Sequence, residues 1–361
     1  MSLLFHNSNE KVSELARKVY ERHFELDPKL NEEYNDRQKR LMYNDILYNL
    51  EYLHVAMKFN DDKIFKEYAV WIYQLLCHLI VNLDRERIKD QMILHYEILR
   101  ESLSDFLTSE EMSMAHRHLN NAIDATENEC INFHVSNRFE SLKYADIRKE
   151  YLNYLLNNDT KNAYRTIQKA IESGIPIQRI YIDVLQEVMY EVGNLWHQNK
   201  ISIDKEHYCT SATQMILSQF YSIVFNTPKN ARKVLSCCVE NELHEMGIRM
   251  VSDLFDYRGW DSIYLGAAVP KEAILKAIGE HKPDLVALSV TMPQHLPICF
   301  DTVNAIREQY KQIKISVGGR AFQTTNELWN KWDVDICVED VEQLIDWADK
   351  TIRNKGGVIY D

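Results

Sequence analysis

Residues 233–249 read KVLSCCVENELHEMGIR, and this stretch decides the fold of the last third of the chain. Its apolar run, 234–239, has the continuous hydrophobicity of a strand that is buried on both faces. A polar loop follows the run and leads into a helical pattern. His244 stands in that loop, two residues after Glu242 and three before Gly247. Strand, loop and helix in this order predict a βα unit that presents His244 at the carboxyl end of its strand.

The same alternation continues toward the end of the chain. The apolar, β-rich runs are 233–239, 262–265, 284–290, 314–317 and 334–338. Each run precedes a helical pattern. Five βα units with near-continuous apolar strands predict a doubly wound parallel sheet with helices on both faces, which we assign to residues 231–361. Ligands bind such sheets beyond the carboxyl ends of the strands.

Two helical regions precede the predicted sheet. Residues 1–130 contain no Gly and a single Pro, Pro28, and their apolar residues recur at spacings of three and four. This pattern predicts an all-helical domain. A connector at 130–140 leads to residues 141–228, where four helical segments with short connections predict an antiparallel four-helix bundle. The sequence therefore predicts a multidomain protein that combines all-α and α/β parts.

Bulk composition argues against several classes of function. The 361 residues carry a formal charge of −12, which disfavours a broad electrostatic grip on nucleic acid or on an anionic membrane. The seven cysteines are odd in number and form no CxxC pair, so we expect neither a disulfide framework nor a structural zinc site. The N-terminal residues lack a signal-peptide pattern, and no apolar stretch reaches the length of about eighteen residues that spans a membrane. We therefore expect a cytoplasmic protein without a membrane segment.

The loop after the first predicted strand fits the pattern E-x-H-x-x-G. Gly247, at the start of the helix, lets a bulky ligand approach the backbone closely. His244 presents an imidazole, and Glu242 can accept a hydrogen bond from its second ring nitrogen. Such a carboxylate fixes the tautomer and raises the basicity of the ring as a metal ligand. On its own, the pattern also fits an ordinary surface histidine.

Two later strand ends carry small side chains. Ser289 and Thr291 place hydroxyls at alternate positions at the end of one strand, and Gly318 and Gly319 end the next. Neighbouring strand ends of this kind predict a slot for a long, flat substituent. Each pair alone has a simpler explanation, a strand-end cap for the hydroxyls and an ordinary turn for the glycines.

With the three loops in this order, residues 231–355 resemble the cobalamin-binding Rossmann domain, whose pattern is D-x-H-x-x-G, then S-x-L or S-x-T, then G-G. The resemblance implies that His244 is the lower axial ligand of cobalt, in place of the cofactor's dimethylbenzimidazole. It also implies that the nucleotide tail inserts past Ser289 and Thr291 and past the paired glycines. The chain departs from the family in carrying Glu242 where Asp is usual. Glu retains the carboxylate with a longer reach, which is compatible with the same role.

The bundle carries a second pattern, W-x9-E-H, formed by Trp196 at the end of one helix and by Glu206 and His207 at the start of the next. An interfacial tryptophan and an acidic first turn would explain these residues one by one. Their combined spacing resembles the light-sensing domain of the CarH-type photoreceptors, in which a helical bundle caps the upper face of adenosylcobalamin. The resemblance implies that Trp196 packs against the adenosyl group and that Glu206 and His207 help to define its pocket. It further implies that His197 can bind cobalt after light breaks the Co–C bond, although a solvated helix-end histidine remains the alternative.

The function implied by this resemblance is light sensing rather than catalysis. Photolysis and loss of the adenosyl group would change the arrangement of the domains, and with it a homo-oligomeric assembly or a contact with a protein partner. The alternative is a corrinoid carrier that passes methyl groups between methyltransferases, because such carriers share the layout and the His244 motif. The W-x9-E-H pattern speaks against a carrier, since a methyl ligand needs no large pocket. No nucleophile–base constellation is present, so we assign no independent catalysis.

The N-terminal region departs from the CarH-type pattern. CarH-type repressors begin with a MerR-type DNA-binding domain, whereas residues 1–130 lack a basic recognition helix, so we expect no direct contact with nucleic acid. Photocobilins are cobalamin photoreceptors that also hold biliverdin, and an aromatic, histidine-bearing helical region makes biliverdin a second candidate cofactor. A plain helical core with histidines at its edge is the alternative. The side chains in question are Phe65, Tyr68, Trp71, Tyr73, His78, His95 and Tyr96.

Overall fold

The structure, a computed structural model, describes residues 10–133, 139 and 143–353. The first nine residues, on which the expectation of no signal peptide rests, lie outside the described residues. Six helices form within 10–133, in agreement with the helical pattern. They are α1 (Glu10–Leu26), α2 (Leu30–Glu33), α3 (Asp36–Phe59), α4 (Asp62–Leu79), α5 (Arg85–Leu103) and α6 (Ser109–Asn132).

The longer helices of this region begin where polar side chains satisfy the free backbone N–H groups of the first turn. Asp61 caps α4, and Asp84 caps α5. Thr108 and Glu111 form a reciprocal capping box at the start of α6, because each side chain accepts from the other residue's backbone N–H. These local signals fix the register of the helices, whose apolar faces then form a common core.

A second group of helices corresponds to the predicted bundle. It comprises α7 (Ala145–Leu156), α8 (Thr160–Glu172), α9 (Ile177–Arg179), a π-helical segment (Ile180–Gln186), α10 (Glu187–His197), α11 (Ile203–Ser218) and α12 (Tyr221–Val224). The buried guanidinium of Arg148 donates to the carbonyl of Asp183 in the π-helical segment (3.2 Å). A charged donor at this position satisfies a backbone carbonyl where the hydrogen-bond pattern of the helix changes from α-helical to π-helical.

The remaining residues form a five-stranded sheet with strand order β2-β1-β3-β4-β5. Its elements are β1 (Lys233–Val239), α13 (Met246–Tyr257), β2 (Asp261–Val269), α14 (Lys271–His281), β3 (Leu285–Ser289), a 3₁₀ turn (Pro293–His295), α15 (Leu296–Gln309), β4 (Lys314–Gly318), α16 (Arg320–Gln323), a second 3₁₀ turn (Leu328–Lys331), β5 (Ile336–Cys337) and α17 (Val341–Thr351).

The sheet is parallel and doubly wound, as its apolar strands predict. β1 pairs with β2 on one side and with β3 on the other, and Cys238 lies opposite Ser289 in the second pairing. β1 and β3 are buried along almost their whole length, which explains why they contain no alternating polar positions. From β1 the sheet extends to β2 on one side, and to β3, β4 and β5 on the other, so the topological switch point lies between β1 and β3. Ligands bind sheets of this type near such a point, beyond the carboxyl ends of the strands.

Contacts divide the chain into two compact units. The first comprises residues 1–133, 290–308 and 318–334, and the second comprises residues 134–289, 309–317 and 335–361. In the second unit, one continuous hydrophobic core is shared by the bundle and the sheet. The fold class is therefore confirmed, whereas the domain boundaries at 1–130, 141–228 and 231–361 stay a prediction. None of the helices formed by the described residues has the length and apolarity needed to cross a membrane.

Candidate functional site

The loop between β1 and α13, residues 240–245, holds His244 against a buried carboxylate. Glu242 is 0% exposed, and its Oε1 accepts from both Nδ1 (2.6 Å) and the backbone N–H (3.0 Å) of His244. The His244 side chain itself is 58% exposed. Because Nδ1 carries the shared proton, the lone pair of the neutral ring is on Nε2 and is available to a metal.

The backbone explains how a carboxylate comes to be buried beneath an exposed histidine. Asn241 adopts a left-handed conformation (φ 70°), which turns the chain sharply at the end of β1. Glu242 then donates its backbone N–H to Val239 (3.0 Å) and accepts from the N–H of Ala268 in β2 (2.9 Å). Both backbone groups of Glu242 are thus fixed by strands, and its side chain holds the imidazole in one orientation.

Two carboxylates act on the charge of His244. The hydrogen bond that His244 donates to Glu242 raises the pKa of His244 above its usual 6.5, burial opposes that rise, and the negative charge of Glu206 adds to it. Glu206 lies in the first turn of α11, in the bundle. The same helix contacts the His244 loop, because Gln214 donates to Glu245 (3.2 Å).

The residues of the W-x9-E-H pattern lie around the turn between α10 and α11, residues 196–207, which we call the cap segment. Trp196 and His197 end α10, and both are partly buried. Glu206 accepts from His207 Nδ1 (2.6 Å) and from the Thr210 hydroxyl (2.9 Å), which fixes its carboxylate. His207 remains 72% exposed at the side chain. The structure thus brings Glu206 and His207 together and places Trp196, with its neighbour His197, at the end of α10.

Several hydrogen bonds that the sequence did not reveal join the bundle to α13 and its loop. Glu245 accepts from Gln214 of α11 (3.2 Å) and from the Tyr264 hydroxyl of β2 (2.9 Å). Arg249 donates to the Tyr221 hydroxyl (2.9 Å) and to the Ser218 hydroxyl, and Tyr181 of the π-helical segment donates to Asp253 (3.2 Å). The only sequence signal for these contacts was the presence of charged residues on a helix that is otherwise apolar. They connect the bundle to α13 and to the His244 loop.

Ser289 ends β3 and is almost fully buried (7% exposed). It lies opposite Cys238 in the β1–β3 pairing. The Cys238 thiol donates to the carbonyl of His244 (3.6 Å). Ser289 is therefore the cross-strand neighbour of a residue that contacts the histidine loop.

Thr291, Gly318 and Gly319 belong to the other compact unit, where the β3 and β4 strand ends are hydrogen-bonded. Val290 donates its N–H to Gly318 (2.9 Å) and accepts from the N–H of Ala321 (3.2 Å). Gly319 has φ +99°, and a Cβ there would lie 2.9 Å from the Val290 carbonyl carbon and closer still to its oxygen. Only glycine fits this close approach of two backbones.

Gln294, which the sequence did not single out, lies three residues after Thr291 in the 3₁₀ turn. Its side chain is 5% exposed, and its buried Oε1 accepts from none of the residues that the structure describes. A buried acceptor of this kind normally has a partner. It can receive a hydrogen bond from an amide or hydroxyl of a bound molecule.

The cobalamin implied by the sequence fits these features. Nε2 of His244 offers a neutral nitrogen donor of the kind that cobalt accepts. A Cβ on Gly247 would meet nothing within 4 Å, so the backbone at the start of α13 is open to a large planar ligand.

Comparisons with known proteins agree with this fit. Residues 232–345 match a family model described as the B12 binding domain, and residues 147–221 match a second model of the same description. The solved structure of the Methanosarcina barkeri monomethylamine corrinoid protein covers 56% of this chain and 97% of its own, with a TM-score of 0.51 and 18% identity. That likeness shows the fold alone.

Two curated proteins of Myxococcus xanthus match parts of the chain. The HTH-type transcriptional repressor CarH is 26% identical over 152 residues, which is 41% of this chain and 50% of that protein. The HTH-type transcriptional repressor CarA is 29% identical over 90 residues, 25% of this chain and 31% of that protein. The chain thus spans half or less of the length of these relatives. With B12-binding matches on both its bundle and its sheet, and with a histidine loop that fits the cofactor, the chain is a cobalamin-binding protein.

Proposed function

We propose that the chain is an adenosylcobalamin-dependent light sensor, in which loss of the adenosyl group changes the position of the bundle and so an assembly or a partner contact. The observation that supports the proposal is the hydrogen bond between α11 and the His244 loop, in which Gln214 donates to Glu245 (3.2 Å). Glu206 and His207 lie at the start of the same helix. When bound, adenosylcobalamin would supply a Co–C bond that green or blue light breaks.

On one side of the site, His244 and Glu242 would hold the cobalt. Glu242 is fixed by two strands and keeps the proton of the imidazole on Nδ1, so that the lone pair of the neutral ring is on Nε2. The loops after β3 and β4, which contain Thr291, Gly318 and Gly319, would receive the nucleotide tail. The glycines matter there because side chains would fill the space between the two strand ends.

On the other side, the cap segment would surround the adenosyl group. Trp196 offers a flat apolar surface for an adenine ring, and the Glu206 carboxylate can accept from its amino group or from the ribose hydroxyls. His197 follows Trp196 on the last turn of α10 and would supply a second imidazole after light exposure. A change at the cap segment can spread because α11 is hydrogen-bonded to the His244 loop through Gln214 and Glu245.

The test is reconstitution of the protein with adenosylcobalamin in the dark, followed by illumination with green light. Absorbance spectra report photolysis, and light scattering coupled to size exclusion reports assembly. Free adenosylcobalamin in buffer is the necessary control, since it also photolyses. We expect a light-dependent change in assembly, or in accessibility of the cap segment to proteolysis, that Trp196→Ala removes. A spectral change that leaves both readouts as in the dark would contradict the sensor.

The corrinoid methyl carrier is the competing proposal, because the helical bundle in front of the sheet is also the fold of a corrinoid protein. The two proposals differ in the upper ligand. A sensor should bind adenosylcobalamin at least as tightly as methylcobalamin, and Trp196→Ala should remove that preference. A marked preference for methylcobalamin, unaffected by Trp196→Ala, would favour the carrier.

Biliverdin as a second cofactor of the N-terminal helices remains a prediction. Its support is a group of stacked aromatic rings, in which Tyr52 and Tyr68 lie 4.0 Å apart and Tyr68 stacks on Trp71. Rings of this kind can hold a flat conjugated ligand. A far-red absorbance band in protein produced together with biliverdin would support the prediction, and its absence would count against it.

The proposed output is a change of homo-oligomeric state or of contact with a protein partner in the cytoplasm. DNA binding is not proposed, although the curated relatives are named as HTH-type transcriptional repressors. The matched part of the present chain, as far as the family models reach, begins at residue 147. Measurement of assembly in the dark and in the light therefore tests the output directly.

A further inference from the structure

Asp61 anchors the strand-end segment that follows β4. It lies between α3 and α4 and is 2% exposed. Its two carboxylate oxygens accept from the backbone N–H (2.8 Å) and the side-chain amide (2.9 Å) of Asn326. The same carboxylate caps α4 by accepting from the N–H of Lys63 (3.0 Å). One buried side chain therefore ties the start of a helix to a loop more than two hundred residues later in the sequence.

Two further contacts strengthen this connection. The Nζ of Lys63 donates to the carbonyl of Gln323 at the end of α16 (2.6 Å). The Phe59 ring packs against Phe300 and Trp332, at centroid distances of 5.8 and 5.6 Å. We call residues 59–63 the α3–α4 corner. It combines a charged anchor with an aromatic contact, and all its partners belong to the same compact unit.

The anchored segment leads directly to the glycines at the end of β4. The Thr325 hydroxyl, next to Asn326, donates to the carbonyl of Phe322 (2.8 Å). Phe322 donates its N–H to Gly319 (3.2 Å), and Ala321 donates to Val290 at the end of β3 (3.2 Å). A short chain of hydrogen bonds thus runs from Asp61 to both strand ends.

The α3 helix also packs against the 3₁₀ turn Pro293–His295, which follows the β3 strand end. Gln294, with its unsatisfied buried acceptor, lies in that turn. Both loops assigned to the nucleotide tail therefore rest on the N-terminal helices.

We infer that the α3–α4 corner positions the nucleotide-tail pocket, with Asp61 as its anchoring residue. The inference rests on the proposed placement of the tail in the loops after β3 and β4. It gives the N-terminal region a role in cofactor binding, because the two tail loops are held in place by a carboxylate from that region. Occupancy of the tail pocket and the position of the α3–α4 corner are then linked, and by reciprocity each affects the other.

The test compares adenosylcobalamin with adenosylcobinamide, which lacks the nucleotide tail, by titration of the full chain in the dark. Asp61→Asn replaces an acceptor by a donor that faces the backbone N–H of Asn326. We expect about a tenfold loss of adenosylcobalamin affinity, because two charge-assisted hydrogen bonds are weakened. Affinity for adenosylcobinamide should change less than about twofold. Asp84→Asn is the matched control, since Asp84 lies outside the α3–α4 corner and likewise caps a helix, α5, by accepting from the N–H of Arg87 (2.8 Å).

The double variant Asp61→Asn/Asn326→Asp tests the contact between the two side chains. The amide at position 61 can donate to the carboxylate at position 326, whereas the backbone N–H of residue 326 still faces an amide donor, so one of the two hydrogen bonds is restored. Adenosylcobalamin affinity should return to within about threefold of the unmodified chain. If Asp61→Asn does not fold, Asn326→Ala carries the same comparison, because Asn326 lies at the surface.

Three results would overturn the inference: unchanged adenosylcobalamin affinity in Asp61→Asn, an equal loss for both ligands, or equal affinity of the unmodified chain for both ligands. Failure of the unmodified chain to bind adenosylcobalamin at all would instead refute the proposed function. The two failures are therefore distinguishable in one titration series.

Discussion

Replacement of Gly247 by Ala should separate the stability of the chain from its affinity for cobalamin. Gly247 is the second residue of α13, its φ is not in the left-handed range, and a Cβ would meet nothing within 4 Å. Alanine stabilises a helix by about 0.5–1 kcal/mol relative to glycine, because it has less conformational freedom to lose. In the first turn we expect the lower end of that range. The cofactor-free variant should therefore be slightly more stable than the unmodified chain.

The same methyl group should obstruct a ligand that packs against this backbone. Overfilling a close contact typically costs about 1–3 kcal/mol, which corresponds to a roughly 5- to 150-fold weaker binding. Urea denaturation of the cofactor-free protein measures the first effect, and titration with adenosylcobalamin measures the second. Gly193→Ala, in α10 with equally empty surroundings, is the benchmark for the stability change alone.

Each half of the prediction can fail on its own. Unchanged affinity in Gly247→Ala would show that the corrin does not approach the start of α13, and the role of the glycine in E-x-H-x-x-G would have to be abandoned. A loss of stability without cofactor would show that the space around Gly247 is needed by the protein itself.

Further predictions concern the two strand ends and the histidine. Gly319→Ala should lower the free energy of unfolding by about 3 kcal/mol, because alanine is strained in a left-handed conformation and its methyl group would collide with Val290. Urea denaturation measures this loss, and a value below about 1 kcal/mol would contradict the prediction. His244→Ala should weaken binding of every corrinoid tested, whereas Trp196→Ala should chiefly affect the adenosyl form; equal effects in parallel titrations would refute this division. Cobalt binding requires the proton to leave Nε2, so affinity should rise as pH increases through the raised pKa of His244 and level off above it. Glu242→Gln should move this increase in cobalamin affinity to lower pH, and should weaken binding by about 10- to 100-fold. An affinity of the unmodified chain that does not change between about pH 6 and pH 9 would exclude His244 as the ligand.

Local sequence signals predicted those parts of the fold that depend on near neighbours. The buried strand before the histidine loop follows from its continuous apolar run, and the start of α6 follows from the capping box of Thr108 and Glu111. The helical pattern expected after the run at 314–317 does not form one helix: the chain has the short α16 and then a separate 3₁₀ turn. The physical reason is the non-local anchor on Asn326, which holds the intervening loop against Asp61. No pattern within the segment could reveal a partner so far away in the sequence.

The candidate site likewise has a part that the local sequence predicted and a part that depends on distant residues. Spacing alone predicted that Glu242 would reach the imidazole of His244, and the two are hydrogen-bonded at 2.6 Å. Two other hydrogen bonds join the bundle to this loop and to α13. Gln214 donates to Glu245, and Arg249 donates to Tyr221. Each depends on two elements that meet only in the folded chain. Contacts of this kind are specified by packing, and they become visible only when the helices are placed.

The charges around His244 determine whether its imidazole carries a second proton or is free to bind a metal. Glu242 and Glu206 both favour the protonated imidazole, and this is why the pKa of His244 lies above its usual value. A proton and a cobalt ion compete for the same Nε2 atom, so the carboxylates that strengthen the neutral ring as a donor also make its ligation sensitive to pH. Glu242 is buried and fixed by β1 and β2, whereas Glu206 belongs to the bundle. If His244 and the cap segment hold the cofactor as proposed, a movement of α11 would change the electrostatic field at His244 as well as the contacts of the cap segment. The proposed sensor would then couple the two faces of the cofactor through the charge of Glu206.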